Sequence, residues 1–119
     1  MAAAGVAAGD SIEIEVTDLQ LRKTYNITQA DYDRMLAEQG GCCAICRTDK
    51  PGRGRFGGRF KNFCVDHDHA CCPGKKSCGK CVRGLLCLDC NHALGNLHDD
   101  PWAMLNALAY VARAREEIR

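Results

Sequence analysis

Two Cys-x-x-Cys pairs flank a short run of acids and histidines, and these residues are the ones best suited to chemistry. The run is Asp66-His67-Asp68-His69, and Asn91 directly follows the last cysteine of the second pair. Carboxylate and amide oxygens suit hard divalent cations such as Mg²⁺ or Mn²⁺, and a nearby imidazole can take a proton from an attacking water. The pattern predicts a metal-dependent hydrolytic site, with Asp66 and Asn91 binding the ion and His67 acting as general base.

Each of these residues also has a plain structural interpretation. A run of acids and histidines is often an exposed loop, and a lone Asn91 could cap the helix that follows it. Adjacent residues on an extended strand point to opposite faces. Asp66 and His67 can therefore share a site only where their strand twists or ends, so we expect the strand to end here.

The cysteines of the two pairs are predicted to hold one structural zinc ion. Paired Cys-x-x-Cys turns separated by a structured stretch are typical of closed tetrahedral sites, which stabilise a fold and do no chemistry. Zinc is favoured over disulfides because the N-terminus lacks the positive region of a signal peptide. The predicted ligands are Cys43, Cys46, Cys87 and Cys90; Cys42 is the alternative to Cys43, which has the right spacing to Cys46.

A cysteine-rich insertion follows the acid and histidine run. It offers four more thiolates for a second zinc ion, although two adjacent ligands demand an unusual turn. His69 or Cys64 could replace one ligand, and a disulfide or free thiols are the alternatives. The four cysteines are Cys71, Cys72, Cys78 and Cys81.

Hydrophobic periodicity and capping residues predict short elements around these motifs. Thr28 and Asp31 resemble a helix cap, and Asp99-Asp100-Pro101 is a strong helix start. The predicted elements are a strand over 11–17, a helix over 29–39, a strand over 59–66, a strand or turn over 82–86, a helix over 90–97 and a last helix from Asp99.

The last helix has an apolar face that we expect to pack on the core. Its members recur at helical spacing. They are Trp102, Leu105, Leu108, Ala109 and Ala112.

The charge is unevenly placed along the chain. The formal net charge is +1, but residues 1–20 hold Asp10, Glu13, Glu15 and Asp18 and no Lys or Arg, which leaves +5 on residues 21–119. A glycine-rich basic loop over 47–61 could mould to phosphates or simply be solvated. The residues expected to contact DNA are Arg47, Arg53, Arg55, Arg59, Lys61 and Arg83.

No run of the sequence approaches the roughly 20 apolar residues of a membrane-spanning helix. We therefore expect no membrane partner and a cytoplasmic protein. The Ala/Gly-rich residues 1–10 are predicted to be disordered.

Several of these segments together resemble the recombination endonuclease VII family of HNH nucleases. They are Leu21-Arg22-Lys23-x-Tyr25-x-Ile27-Thr28 through Gly41, Cys43-x-x-Cys46, Val65-Asp66-His67-Asp68-His69, Val82-Arg83-Gly84-Leu85-Leu86-Cys87-x-x-Cys90-Asn91 and Leu94-Gly95. The resemblance implies an α+β fold, a small zinc-stapled ββα-metal domain with flanking N- and C-terminal helices. That domain would span residues 21–119, after an N-terminal extension over 1–20.

The resemblance also implies an activity, a metal-dependent DNA endonuclease that uses one catalytic ion to nick or cut duplex or branched DNA. Asp66 and Asn91 match the family's catalytic metal ligands, and His67 matches its general base. His69 matches the second histidine, which contacts the scissile phosphate or supports the metal. The alternative is a non-catalytic zinc-ribbon module that binds DNA or a protein.

By the same resemblance, the expected partners are DNA, a second copy of the chain, and phage packaging or recombination proteins in a host cytoplasm. The chain departs from the family pattern at Leu94, where the enzyme that names the family has an acidic residue. About 20 residues follow Asp99, whereas the junction-resolving member forms an intertwined dimer with a long helical region. A third carboxylate and Holliday-junction resolution are therefore not predicted.

Overall fold

A two-stranded antiparallel sheet lies at the centre of the fold. The structure is a computed structural model that describes residues 17–53 and 60–118. Its elements are α1 (Asp18–Gln20), a π-helical turn (Leu21–Tyr25), α2 (Gln29–Glu38), β1 (Cys64–His67), β2 (Val82–Leu86), α3 (Leu88–Asn96) and α4 (Pro101–Ile118). The α+β class is confirmed.

The predicted elements are largely present, with shifted boundaries. The helices predicted over 29–39 and from Asp99 and the strand over 82–86 are confirmed, whereas β1 begins only at Cys64 and α3 begins two residues early, at Leu88. Thr28 and Asp31 form a full capping box, because each side chain accepts a hydrogen bond from the other residue's backbone N–H. Apart from Thr17, the strand predicted over 11–17 lies outside the described residues, as do residues 1–10.

Two side chains, from α2 and from its C-cap, hydrogen-bond the backbone of β2 and of the residue just before β1. The hydroxyl of Tyr32 accepts from the N–H of Phe63 at 2.7 Å and donates to its carbonyl at 3.2 Å. The amide of Gln39 accepts from the N–H of Leu85 at 3.0 Å and donates to the carbonyls of Leu85 and Cys42. Two side chains thus replace a neighbouring strand, since buried backbone groups must find partners.

The core packs the π-helical turn and α2 against one face of the sheet. Two of its members are cysteines, Cys43 and Cys87, both fully buried. Burial of the apolar members stabilises the fold, but so few of them form only a small core. They are Leu21, Ile27, Tyr32, Phe63, Val65, Leu85 and Leu86.

The prediction that the last helix packs its apolar face on the core is wrong. Trp102, Leu105 and Leu108 are 73%, 54% and 66% exposed. At about 1.5 Å per residue an 18-residue helix is about 27 Å long, which is more than this small core can cover. Among the described residues of α4, Ala103 and Met104 in the first turn are half-buried.

The first cysteine cluster joins the turn after α2 to the end of β2. The sulfurs of Cys43, Cys46, Cys87 and Cys90 lie within 4.8 Å of one another, and those of Cys46 and Cys87 are 3.7 Å apart. A tetrahedral ion with Zn–S bonds of about 2.3 Å places its ligands roughly 3.8 Å apart. The donor set and spacing are therefore consistent with structural zinc.

Gln39→Leu should destabilise the protein by about 1–3 kcal/mol, because it leaves the Leu85 N–H without its acceptor. Glu38→Leu is the control, since Glu38 is the exposed residue next to Gln39. It should change the free energy of unfolding by less than about 0.5 kcal/mol. Urea unfolding at saturating zinc measures both. Equal losses in the two variants would contradict the bridging role of Gln39.

Cys90→Ser should lose one zinc ion per chain and unfold cooperatively at a much lower temperature. Zinc binding contributes on the order of 10 kcal/mol to small zinc-bound folds. Cys42→Ser removes a thiol that belongs to neither cluster and should keep both properties. Zinc analysis and thermal melting test this, and a Cys90→Ser variant with wild-type melting and zinc content would refute it.

Candidate active site and metal centres

A surface cavity of about 580 Å³ opens beside β1, β2 and α3. Asp66, His67, His69 and Asn91 all line it. These are the four side chains that the sequence predicts to carry out chemistry. The structure therefore brings residues from the end of β1 and from α3 to one place.

A β-bulge lets neighbouring residues of β1 line the same cavity. Asp66 lies opposite Gly84, and His67 lies opposite Val82, so Arg83 is the extra residue of β2. Bulges increase the local twist of a strand and redirect its side chains. Strand β1 ends at His67, as predicted, and the bulge removes the objection that adjacent residues must face apart.

Arg83 lies between two carboxylates at this bulge. Its Nε and Nη2 atoms donate to the two oxygens of Asp66 at 2.7 and 3.0 Å. It also donates to Asp99, at 2.8 Å from Nη2 and 3.2 Å from Nη1. The hydrogen bonds and positive charge of Arg83 lower the pKa of Asp99, and hydrogen bonds to both carboxylates raise the pKa of Arg83. Asp99 is therefore held as a carboxylate at neutral pH.

The imidazole of His67 is held by two backbone carbonyls. Its Nε2 atom lies 3.0 Å from the carbonyl oxygen of Cys72 and 3.1 Å from that of Gly74. Carbonyl oxygens only accept hydrogen bonds, so Nε2 carries the proton and Nδ1 of the neutral ring holds the lone pair. The His67 and His69 ring centroids are 4.4 Å apart. The site thus contains a buried imidazole in a fixed orientation.

Asn91 lies inside α3, so the interpretation that it caps this helix is wrong. The helix is capped by Cys87, whose sulfur accepts from the N–H of Cys90 at 3.4 Å. The N–H of Asn91 donates to the carbonyl of Cys87 at 3.0 Å. Its side chain is half-buried at the cavity and is not needed as a cap.

The insertion after β1 gathers a second group of four sulfurs. Those of Cys71 and Cys78, of Cys71 and Cys72, and of Cys78 and Cys81 are 3.9, 4.0 and 3.9 Å apart. These separations again match a tetrahedral tetrathiolate site for zinc. The sulfur group contains neither Cys64 nor His69, which the sequence left as alternatives.

A turn brings the adjacent cysteines Cys71 and Cys72 into one group. The carbonyl of Asp68 accepts from the N–H groups of both at 3.1 Å. Side-chain hydrogen bonds with Cys78 and the other thiols raise the pKa of Cys71 to about 12, whereas a hydrogen bond from the Lys80 backbone helps lower the pKa of Cys78 to about 7. One thiolate thus forms readily at neutral pH.

In the first cluster, burial raises the pKa of the Cys43 thiol, but hydrogen bonds from the backbone of Cys87, Cys46 and Ile45 outweigh it and lower that pKa to about 6. Metal binding requires thiolates. Cys43 therefore offers the first cluster a ready ligand at neutral pH.

The structure describes only some of the basic residues that the sequence predicts to contact DNA. Arg53 pairs with Asp89 of α3 at 3.6 Å, and Arg47 and Lys61 are exposed. Arg55 and Arg59 lie outside the described residues. Contact of the basic loop with DNA stays a prediction.

Sequence reasoning missed the partners that hold the site. The Asp99-Asp100-Pro101 run was interpreted only as a helix start. Asp100 does accept from the N–H of Trp102 at 3.0 Å, but Asp99 pairs with Arg83. Two successive acids, where a cap needs one, were the available signal. The carbonyls that hold His67 had no signal, because every residue carries one.

In the part of the chain that the structure describes, none of the helices is long and apolar enough to cross a membrane.

Curated relatives of this chain are phage proteins. The Gene 59 protein of Mycobacterium phage D29 is 33% identical over 97 residues, which are 81% of this chain and 50% of that protein. The Gene 59 protein of Mycobacterium phage L5 is 36% identical over 83 residues, 69% of this chain and 42% of that protein. The chain thus spans about half the length of these relatives or less. No solved structure matches it.

The family model for recombination endonuclease VII matches residues 18–113. This match includes both cysteine clusters and all four cavity residues of the predicted site. It confirms the resemblance seen in the sequence. The chain belongs to the recombination endonuclease VII family.

Proposed function

We propose that this protein is a metal-dependent DNA endonuclease of the HNH type, in which β1, β2 and α3 form the ββα-metal unit over a domain of residues 21–119. One observation carries the proposal: Asp66, His67, His69 and Asn91 line one cavity. Membership of the endonuclease VII family supports a nuclease that acts on DNA.

His67 is the proposed general base. A base must keep a lone pair for the proton of the attacking water and hold a fixed orientation. The two carbonyls occupy the Nε2 proton of His67 and leave Nδ1 as the accepting nitrogen. His67 is also 4% exposed, so bulk water competes little for these hydrogen bonds. In this mechanism Nδ1 removes the proton as the water oxygen attacks the phosphorus.

Asp66 and Asn91 would hold the catalytic ion, Mg²⁺ or Mn²⁺. A carboxylate and an amide oxygen are hard donors, and Mg²⁺ is commonly bound by one or two carboxylates with water in the remaining positions. A carboxylate offers about four lone-pair sites, and Arg83 uses two of those on Asp66. When bound, the ion would stabilise negative charge on the phosphate and on the leaving oxygen.

Arg83 is then a positioning residue for Asp66. Its bidentate hydrogen bonds fix the plane of the carboxylate, which is 8% exposed. Asp99 takes up the other side of the guanidinium and so holds Arg83 in place. His69, beside His67, is suited to contact the scissile phosphate or support the ion. DNA would be held mainly through its backbone by the basic loop.

The proposal for the DNA substrate, the cellular location and the partners is less specific. Duplex or branched DNA, nicked or cut, fits the family membership and the open cavity. The phage relatives fit action in a host cytoplasm. Phage packaging or recombination proteins are proposed as partners by analogy with the family alone. A homodimer is the proposed oligomeric state, by analogy with the family alone.

A non-catalytic zinc-ribbon module that binds DNA or protein is the second candidate. One observation favours it: Arg83 donates hydrogen bonds to both oxygens of Asp66. The positive charge of Arg83 offsets part of the negative charge that Asp66 would offer to a metal ion. Against it, a zinc ribbon needs none of Asp66, His67 and Asn91. Cleavage assays on the variants below decide between the two candidates.

His67→Ala should lower Mg²⁺-dependent nicking of plasmid DNA by about 10²–10⁴-fold, because the general base is lost. Zinc content and melting temperature should stay near wild type. His98→Asn is the matched control, since His98 does not line the cavity and asparagine tolerates its positive φ of 56°. Equal nicking by His67→Ala and wild type would remove His67 from the mechanism.

Asn91→Ala should raise the Mg²⁺ concentration needed for half-maximal cleavage by at least about tenfold, because one oxygen ligand is lost. Asn106→Ala changes the same residue type at an exposed position of α4 that does not line the cavity, and it should leave that concentration unchanged. Mg²⁺ titrations at saturating DNA measure the difference. An Asn91→Ala variant with a wild-type Mg²⁺ requirement would exclude Asn91 as a ligand.

A further inference from the structure

We propose that the second cysteine cluster is a zinc site that holds the imidazole of His67, so that metal loading of the insertion sets the orientation of the general base. The role of His67 as base rests on the proposed function; the coupling between cluster and ring does not. The cluster comprises Cys71, Cys72, Cys78 and Cys81.

The cluster can organise the insertion because little else does. All of residues 68–81 are described, and they contain no helix or strand. Such a segment loses conformational entropy on ordering and has little apolar burial to offset that loss. Ser77 is its one buried residue. Four thiolates on one ion would supply the missing free energy.

The same loop supplies the hydrogen bonds to His67. Cys72 contributes its sulfur to the cluster and its carbonyl oxygen to Nε2 of His67 at 3.0 Å. Gly74, two residues later, contributes the second carbonyl at 3.1 Å and has a φ of 93°, which glycine adopts without strain. A ligand of the cluster is therefore also a direct partner of the base.

The other half of the insertion is fastened to the body of the protein. The N–H of Ser77 donates to the carbonyl of Thr24 at 2.8 Å, and the side chain of Asn26 donates to the carbonyl of Cys78 at 2.9 Å. The N–H of Asp68 donates to the carbonyl of Cys81 at 3.0 Å. At Gly79 an added Cβ would lie 2.6 Å from the carbonyl oxygen of Asn26, so the approach is close.

Apart from the backbone hydrogen bonds at Asp68, the sulfur cluster joins the half of the insertion that is fastened to the body to the half that contacts His67. Cys78 and Cys81 lie in the fastened half, and Cys71 and Cys72 lie in the half whose carbonyls hold His67. Without the ion, four thiol groups at about 4 Å have no strong attraction, and thiolates there repel each other. The carbonyls would then no longer be held against Nε2.

The test compares wild type with Cys72→Ser and Cys78→Ser. Cys72→Ser keeps the carbonyl that accepts from His67 and removes only the sulfur ligand. Cys78→His replaces one zinc ligand by another and serves as the rescue variant. Cys42→Ser is the control, a thiol outside both clusters. Zinc per chain is measured first, and circular dichroism verifies that each variant is folded.

The decisive readout is the ring N–H of His67 in proton NMR, without Mg²⁺ and DNA. A hydrogen-bonded ring proton exchanges slowly with water and gives a sharp downfield signal, which His67→Ala assigns. We expect two zinc ions and the signal in wild type, Cys42→Ser and Cys78→His. We expect one zinc ion and no signal in the two serine variants, with kcat for DNA cleavage down about 10–100-fold and KM unchanged.

Two results would overturn the proposal. One is a wild-type protein with a single zinc ion, and the other is a serine variant that loses one zinc ion while keeping the ring signal. If wild type fails to cleave DNA but zinc content and ring signal change together as expected, the coupling is supported and the nuclease proposal fails. If Cys72→Ser does not fold, the comparison of Cys78→Ser with Cys78→His still decides.

Discussion

The convergence of four cysteines from two distant turns is the constraint on which the rest of the structure depends. A sheet of two short strands is not stable alone in water, and the apolar core around it is small. Cys87 shows how closely sheet, cluster and helix are joined, because this buried residue follows β2, contributes a sulfur and caps α3. An ion bound there would fix the direction of α3 relative to the sheet, and with it the place of Asn91.

The polar site is assembled around the bulge that this small sheet contains. Arg83 is the extra residue of β2, and its guanidinium compensates both Asp66 and Asp99. A buried carboxylate without such a partner would favour its neutral form or destabilise the fold. The bulge therefore does two things at once: it turns Asp66 and His67 toward one cavity, and it places a positive charge beside the buried side chain of Asp66.

The sequence was a good guide where side-chain type alone carries the information. Thiolate spacing identified the first cluster, and Asp66, His67 and Asn91, which the sequence grouped together, line one cavity. The sequence was a poor guide where the structure depends on backbone contacts or on the size of the core. Helical periodicity cannot say whether a core is large enough to receive a face, so Trp102 and Leu105 were placed inside and lie outside. Backbone carbonyls on His67 are equally invisible in a sequence.

The two cysteine clusters differ in burial. We therefore expect the first cluster to affect the stability of the whole fold and the second to affect only the arrangement of the cavity. Cys43 and Cys87 of the first cluster are fully buried in the core. Cys71 and Cys78 of the second cluster are exposed. Metal at the first cluster would be coupled to global folding, since these two ligands become solvated only when the core opens. Competing ligands can reach the second cluster in the folded protein, so its occupancy can change while the fold persists. The carbonyls that hold His67 come from that loop, so the imidazole of His67 is the part of the cavity most open to adjustment.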